Sequence, residues 1–210
     1  MKDIEWIFFD MGYTLVNEDA AHERRITIAL ERLAKLGVHD VTREQFWRAA
    51  RKFGSQGEAP FPAAARHFGL KKMPHYTNDG EVAYPDSREA LWRLRSHCKL
   101  GIIANQPLGS AHRLTLYGLG DCFDALFPSA EVGIEKPDTG LYIAALRGVD
   151  CEPSHALMVG DRPDNDIVPA HEVGMRTARI LRGFYRGMAD LTPPDVTVNS
   201  LDELAVYFHC

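Results

Sequence analysis

No apolar run in the 210 residues approaches the roughly 18 that a membrane-spanning helix needs, so no such helix is expected. There is no basic excess either. Lysine and arginine number 24 against 29 aspartate and glutamate, for a net charge of -5, whereas nucleic-acid binders usually carry the opposite imbalance. A local cationic pocket for an anionic substrate is not excluded by that sum. Cysteine is scarce. Cys98, Cys122, Cys151 and Cys210 include no Cys-x-x-Cys pair, which removes the usual zinc and thioredoxin-like readings and points to free thiols in a reducing compartment. The opening Met-Lys-Asp-Ile-Glu-Trp puts acids where a signal peptide needs an apolar stretch, so a cytoplasmic location is expected. The nine histidines show no metal-ligand spacing, and Gly118-Leu-Gly120 lacks the strand-to-helix setting of a dinucleotide fingerprint. No internal repeat or low-complexity tract is present. What remains is a composition of 45% hydrophobic and 25% charged residues, the balance of a globular protein.

The apolar pattern then sorts the chain into two kinds of segment. Ile4 to Phe9 is short, β-branched or aromatic, and stops at Asp10, which reads as a buried strand ending in a carboxylate. From 17 to 82 the spacing is helical, with no convincing strand. Ile26, Ala29, Leu30, Leu33 and Leu36 share a face up to Gly37. Thr42 with Gln45 forms a capping box before Phe46, Ala49, Ala50 and Phe53, and a third helix spans 63–68. After Tyr84-Pro85-Asp86 strands and helices alternate. Strands are expected at 99–104, 125–129, 156–159, 175–180 and 196–198, with helices at 87–97, 109–117, 138–147, 164–173 and 201–208. Alternation of this kind implies parallel βαβ units, a sheet covered on both faces, and ligands at the carboxyl ends of its strands. Asp10, Asn105 and Asp161 occupy those ends.

Several carboxylates brought to one sheet edge repel one another unless a cation neutralises them, and hard oxygen donors suit magnesium. Asp10 and Asp161 are the strong candidates. Asp164 reads better as a cap for the following helix, and Asp166 could serve either purpose. Lys136, held extended by Pro137, could pair with Asp10 and a substrate anion, or be an ordinary solvated lysine. The basic residues between 24 and 52 read as a solvated helical face, of which some could instead face the pocket and bind a second anionic group of a substrate; Lys35, Lys52, Lys71 and Lys72 read as surface charges, and Gly54-Ser-Gln-Gly-Glu-Ala-Pro60 as a loop that could admit substrate.

Four stretches resemble, in order, the motifs of the haloacid dehalogenase-like superfamily: Phe9-Asp-Met-Gly-Tyr-Thr-Leu15, Ile102-Ile-Ala-Asn105, Lys136-Pro137-Asp138 and Val159-Gly-Asp-Arg-Pro-Asp-Asn-Asp166. The resemblance implies a Rossmann-like α/β parallel-sheet core, residues 1–16 and 83–210, with a small α-helical cap inserted after the first strand at 17–82. It implies catalytic roles for Asp10, the nucleophile of an aspartyl-phosphate, and for Lys136. It also implies Mg2+ held by Asp10, the Gly12 carbonyl and Asp161 with support from Asp166, and a small phosphorylated substrate.

Two positions depart from the pattern. Gly12 stands where the family's phosphatases usually carry a second aspartate, the general acid and base, and Ala104 stands where they offer Ser or Thr to the phosphate. Acid–base catalysis contributes about 10²–10⁴-fold, and a hydrogen bond to a charged group roughly 1.5–3 kcal/mol. Asn105 or Gln106 could take over part of the phosphate contact, so both are candidate substrate-binding residues with Lys136. The resulting expectation is a slow or specialised magnesium-dependent phosphatase of small phosphate esters. The alternatives are a non-catalytic descendant binding a phosphorylated ligand or a protein, and a dehalogenase or phosphonate hydrolase.

Overall fold

The computed structural model describes residues 3–209. In chain order it forms β1 (Trp6–Phe9), β2 (Val16–Asn17), α1 (Asp19–Lys35), α2 (Arg43–Ser55), α3 (Pro60–His67), β3 (Val82–Ala83), α4 (Ser87–Arg95), β4 (Lys99–Ala104) and α5 (Ser110–Leu116). There follow β5 (Ala125–Pro128), α6 (Ser129–Val132), α7 (Thr139–Gly148), β6 (Ala156–Gly160), a π-helical turn (Pro163–Ile167), α8 (Val168–Glu172), β7 (Arg176–Ile180), β8 (Val196–Val198) and α9 (Leu201–Val206). Six strands make one sheet in the order β5-β4-β1-β6-β7-β8, and every pair in it is parallel.

Alternation along the strands loads both faces of this sheet. Ile7 and Phe9 of β1 join Leu100, Ile102, Leu157 and Val159, and pack under Leu91 and Leu94 of α4 and Leu201 and Leu204 of α9. Trp6 and Phe8 point the other way, with Ile103 and Met158, against Leu141, Tyr142 and Ala145 of α7 and Ala170 of α8. Each such side chain contributes about 1.5–3 kcal/mol by leaving water, so the central strands are fixed from both sides. Register then places the functional edge. Phe9 lies opposite Ile102 and Val159, so the chain leaves β1, β4 and β6 at neighbouring points, through Asp10, Asn105 and Asp161.

The chain divides into two compact units. One comprises 1–17, 82–182 and 190–210, and the other 18–81 and 183–189. In the second, α1 buries Ile26, Ala29 and Leu33, and α2 buries Phe46, Ala49 and Ala50. Helix α2 starts with the expected capping box: Thr42 Oγ1 accepts from the Gln45 amide at 3.2 Å, and Gln45 Oε1 from the Thr42 amide at 2.7 Å. Residues 183–189, which the sequence reading leaves with the core, belong instead to this helical unit. Phe184 stacks on Trp47 at 5.3 Å and meets Phe61 edge-on at 4.7 Å. Gly54 permits the approach, since a Cβ there would lie 2.9 Å from the Phe184 carbonyl.

Two further expectations are corrected. Asn17 and Val82, read as part of a strand-free segment, sit in the short antiparallel ladder of β2 and β3; two-residue strands carry no periodicity to read. The helix expected at 164–173 is broken into a π-helical turn and α8, because Pro169 has no amide hydrogen to continue an α-helical ladder. Cys98, Cys122 and Cys151 are free thiols; Cys210 lies outside the described residues. Among the described residues no helix is long and apolar enough to cross a membrane.

Candidate active site

At the carboxyl edge of the sheet, Asp10, Asp161 and Asp166 each offer a carboxylate oxygen, and these atoms lie within 4.8 Å of one another. Asp161 and Asp166 are buried and Asp10 is partly exposed. Asp10 follows β1 directly, its amide donating to the Val159 carbonyl at 2.9 Å. Asp161 follows β6. Asp166 reaches the group because the π-helical turn folds back over the end of β6. A Cβ on Gly160 would overlap the Asp166 carboxylate, so only glycine fits there.

Lys136 lies among these acids, 5% exposed. Its Nζ donates to Asp10 Oδ1 at 2.6 Å, to Asp166 Oδ1 at 2.6 Å and to the Ile103 carbonyl at 3.2 Å. All three ammonium hydrogens are thus used. Burial works against the charge on Lys136, but Asp10 and Asp166 outweigh it and raise its pKa. Burial pushes Asp166 up to about 6, against the pull of Lys136 and with the added repulsion of Asp10. Three carboxylates and one ammonium leave a formal charge of -2 in a small, mostly buried volume, which a divalent cation would offset.

The loop after Asp10 meets the remaining requirement for such a cation. The Met11 carbonyl accepts from the Thr14, Leu15 and Val16 amides, and the Val16 carbonyl from the Tyr13 amide. The carbonyl of Gly12 receives no hydrogen bond among the described residues, which leaves it available as a hard ligand. Gly12 is not one of the glycines held at positive φ, so the backbone there would accept a side chain.

Asn105 differs from its expected role. Its Nδ2 donates to the Lys136 carbonyl at 2.9 Å and its Oδ1 accepts from the Lys136 amide at 2.7 Å. Both ends of the amide grip the lysine's backbone, so Asn105 orients Lys136, with one Nδ2 hydrogen beyond these two bonds. Gln106 is also engaged. Its side-chain Oε1 accepts from Arg113, and its backbone amide donates to Ser129 Oγ at 3.2 Å. Ala104, which offers no hydroxyl, is fully buried. Asp164 is not a helix cap; it pairs with the Arg162 guanidinium at 2.6 Å. Both oxygens of Asp166 are occupied, one by Lys136 and the other by the Arg162 amide at 3.0 Å. That suits a supporting place beside a metal better than a primary one.

Sequence reasoning missed Gly160, whose role shows only once Asp166 folds over it. It also missed Tyr142, buried on α7, whose hydroxyl donates to the Asn165 carbonyl and braces the π-helical turn. Its hydroxyl pKa is raised by burial.

The family model described as haloacid dehalogenase-like hydrolase matches residues 7–180. A glyceraldehyde 3-phosphate phosphatase of Methanopyrus kandleri is 29% identical over 217 residues, covering 95% of this chain and 93% of that protein. The enzyme of the same name from Methanocaldococcus jannaschii is 29% identical, covering 96% and 95%. Among solved structures, a HAD phosphatase from Thermococcus onnurineus superposes with a TM-score of 0.70 at 25% identity, covering 98% of each chain. A 2-haloacid dehalogenase from Pseudomonas syringae, 23% identical, gives 0.63 with 99% and 100% covered, and so shares the fold.

Proposed function

This chain belongs to the haloacid dehalogenase-like hydrolase family, and on that footing we propose that it is a magnesium-dependent phosphatase of small phosphate esters that works through an aspartyl-phosphate on Asp10. The observation that carries the reading is the group of three aspartates bridged by Lys136. The names of the relatives that match nearly end to end support a small phosphorylated substrate.

Asp10 is the nucleophile in this reading. One of its oxygens attacks phosphorus, the bond from phosphorus to the ester oxygen breaks, and the alcohol leaves. Water then attacks the same phosphorus, releasing inorganic phosphate and restoring the carboxylate. Lys136 holds Asp10 through Oδ1, which leaves Oδ2 for the attack, and places positive charge beside the reacting anion. Asn105 holds Lys136 in turn. Asp10, the Gly12 carbonyl and Asp161 would bind Mg2+, with Asp166 behind them; the ion would neutralise the carboxylates and the incoming phosphate. No side chain at residue 12 protonates the leaving alkoxide or takes a proton from the attacking water, so the first step draws its proton from solvent, the second gives one up to it, and turnover is slow.

A panel of phosphate monoesters assayed with magnesium tests the reading against an Asp10→Asn control. Hydrolysis above that control is expected. Turnover no greater than the control sinks the phosphatase and leaves a phosphoryl-ligand or protein binder, while turnover only of haloacids or phosphonates moves the chain to the other branch of the family.

A further inference from the structure

We propose that Arg182, outside every motif, is a positioning residue that locks the loop following Asp10 and so holds the Gly12 carbonyl in place; the catalytic part of this rests on the hydrolase reading above.

The loop is strained at a known point. Tyr13 has φ of 52°, a left-handed conformation that is costly for a bulky L-residue and persists only where the surroundings over-determine it. The residue after it is the one Arg182 holds, its guanidinium donating to the Thr14 carbonyl at 2.9 Å. The next carbonyl, Leu15, accepts from the Tyr84 amide at 3.0 Å and from Ser87 Oγ at 2.8 Å. The far side of the loop is therefore pinned carbonyl by carbonyl, and the bond from Arg182 is the charge-assisted one.

Arg182 is itself held rigidly. Its guanidinium pairs with Asp86, and the two side chains are only 10% and 13% exposed. Its carbon lies 4.2 Å from the centre of the Tyr84 ring. The Asp86 oxygen that takes this pair also accepts the Leu201 amide at 2.9 Å, at the start of α9. A planar fork can serve Thr14 and Asp86 at once; a lysine ammonium, as a point charge, matches that geometry poorly. Without the guanidinium, the Thr14–Leu15 peptide loses its charge-assisted hold, the left-handed Tyr13 beside it is less firmly fixed, and Gly12, next to Tyr13, shifts with the loop.

The test compares the full chain with Arg182→Gln, Arg182→Lys and Asp86→Asn. Three quantities are read: amide hydrogen exchange in peptides covering 10–17, Mn2+ affinity as a probe of the aspartate group, and kcat and KM for a phosphate ester. A lost charge-assisted hydrogen bond corresponds to about 10- to 150-fold. In Arg182→Gln, exchange of the Leu15 and Val16 amides should quicken by at least about tenfold relative to amides of β4 and β6. Mn2+ affinity and kcat should fall by a similar factor with KM nearly unchanged. Arg182→Lys should recover part of each loss, and Asp86→Asn should show a smaller version of it. Equal quickening in 10–17 and in the sheet overturns the proposal, because the arginine would then support only global stability. Faster loop exchange with unchanged Mn2+ affinity and kcat overturns it too. If the native chain binds no Mn2+ and hydrolyses no ester, the hydrolase reading has failed, and the exchange comparison by itself decides whether Arg182 locks the loop.

Discussion

Lys136 donates to two carboxylates and a carbonyl from a buried position, and that one side chain sets the electrostatics around Asp10. The remaining negative charge depends on Asp166 staying where the π-helical turn puts it. Gly160→Ala would force that carboxylate aside, with a stability cost of about 1–3 kcal/mol for an overpacked interior. Its Mn2+ affinity, measured by titration, should fall well below that of the native chain. Residue 12 offers the opposite experiment. Gly12→Asp restores the side chain that the family's phosphatases usually carry, on a backbone that accepts it, and ester hydrolysis should rise by up to about 10²–10⁴-fold. A kcat that does not rise would show that the missing acid is not what slows this site. At this scale the sequence was legible where a residue ends a strand, as Asp10 and Asp161 do. Asn105 ends one too, but an amide carries both donor and acceptor. Whether these face a ligand or the loop of a neighbouring element depends on where Lys136 lies in space.

Among the elements, α1 carries a buried histidine with a defined hydrogen-bonding state. Arg25 can only donate, so the His22 Nδ1 that it meets at 3.3 Å must accept. The proton then sits on Nε2, 3.4 Å from a Glu18 oxygen, and the ring lies flat on Phe61 at 3.7 Å. His22 is therefore neutral. Burial, and next the charge of Arg25, lower its pKa from 6.5 to about 3. Above pH 6.5 neither folded nor unfolded chain protonates this group. As pH falls from 6.5 toward 3 the unfolded chain takes up a proton that the folded chain refuses. Stability of the helical unit should then fall by up to about 1.4 kcal/mol per pH unit. Denaturation midpoints between pH 7 and 4.5 should show that slope, and His22→Phe should flatten it. The capping box at Thr42 was readable in advance because both its hydrogen bonds are local. The break before α8 was not, because a proline inside an apolar helical pattern does not say which hydrogen-bond register replaces the one it removes.

For the whole molecule, the aspartate group predicts a linkage between magnesium and folding. An ion that binds only the folded chain adds about 2.7 kcal/mol at a concentration one hundred times its Kd. For a chain of this size that is a rise in Tm of several degrees. A melt with magnesium against one with EDTA should show the rise, and Asp161→Asn should abolish it. The sequence by itself determined the parallel α/β core, the helical insertion and the acids at the strand ends. These follow from local periodicity and from the alternation of strands with helices, which one chain segment carries without reference to another. Only the tertiary structure decided that residues 183–189 leave the core to pack on Trp47 and Phe61. The same is true of Asn105 binding the backbone of Lys136, and of Arg182 reaching the loop beyond Asp10. Those outcomes depend on contacts between segments 31 to 168 residues apart, and the pattern along the chain encodes which face each residue occupies but not which partner meets it there.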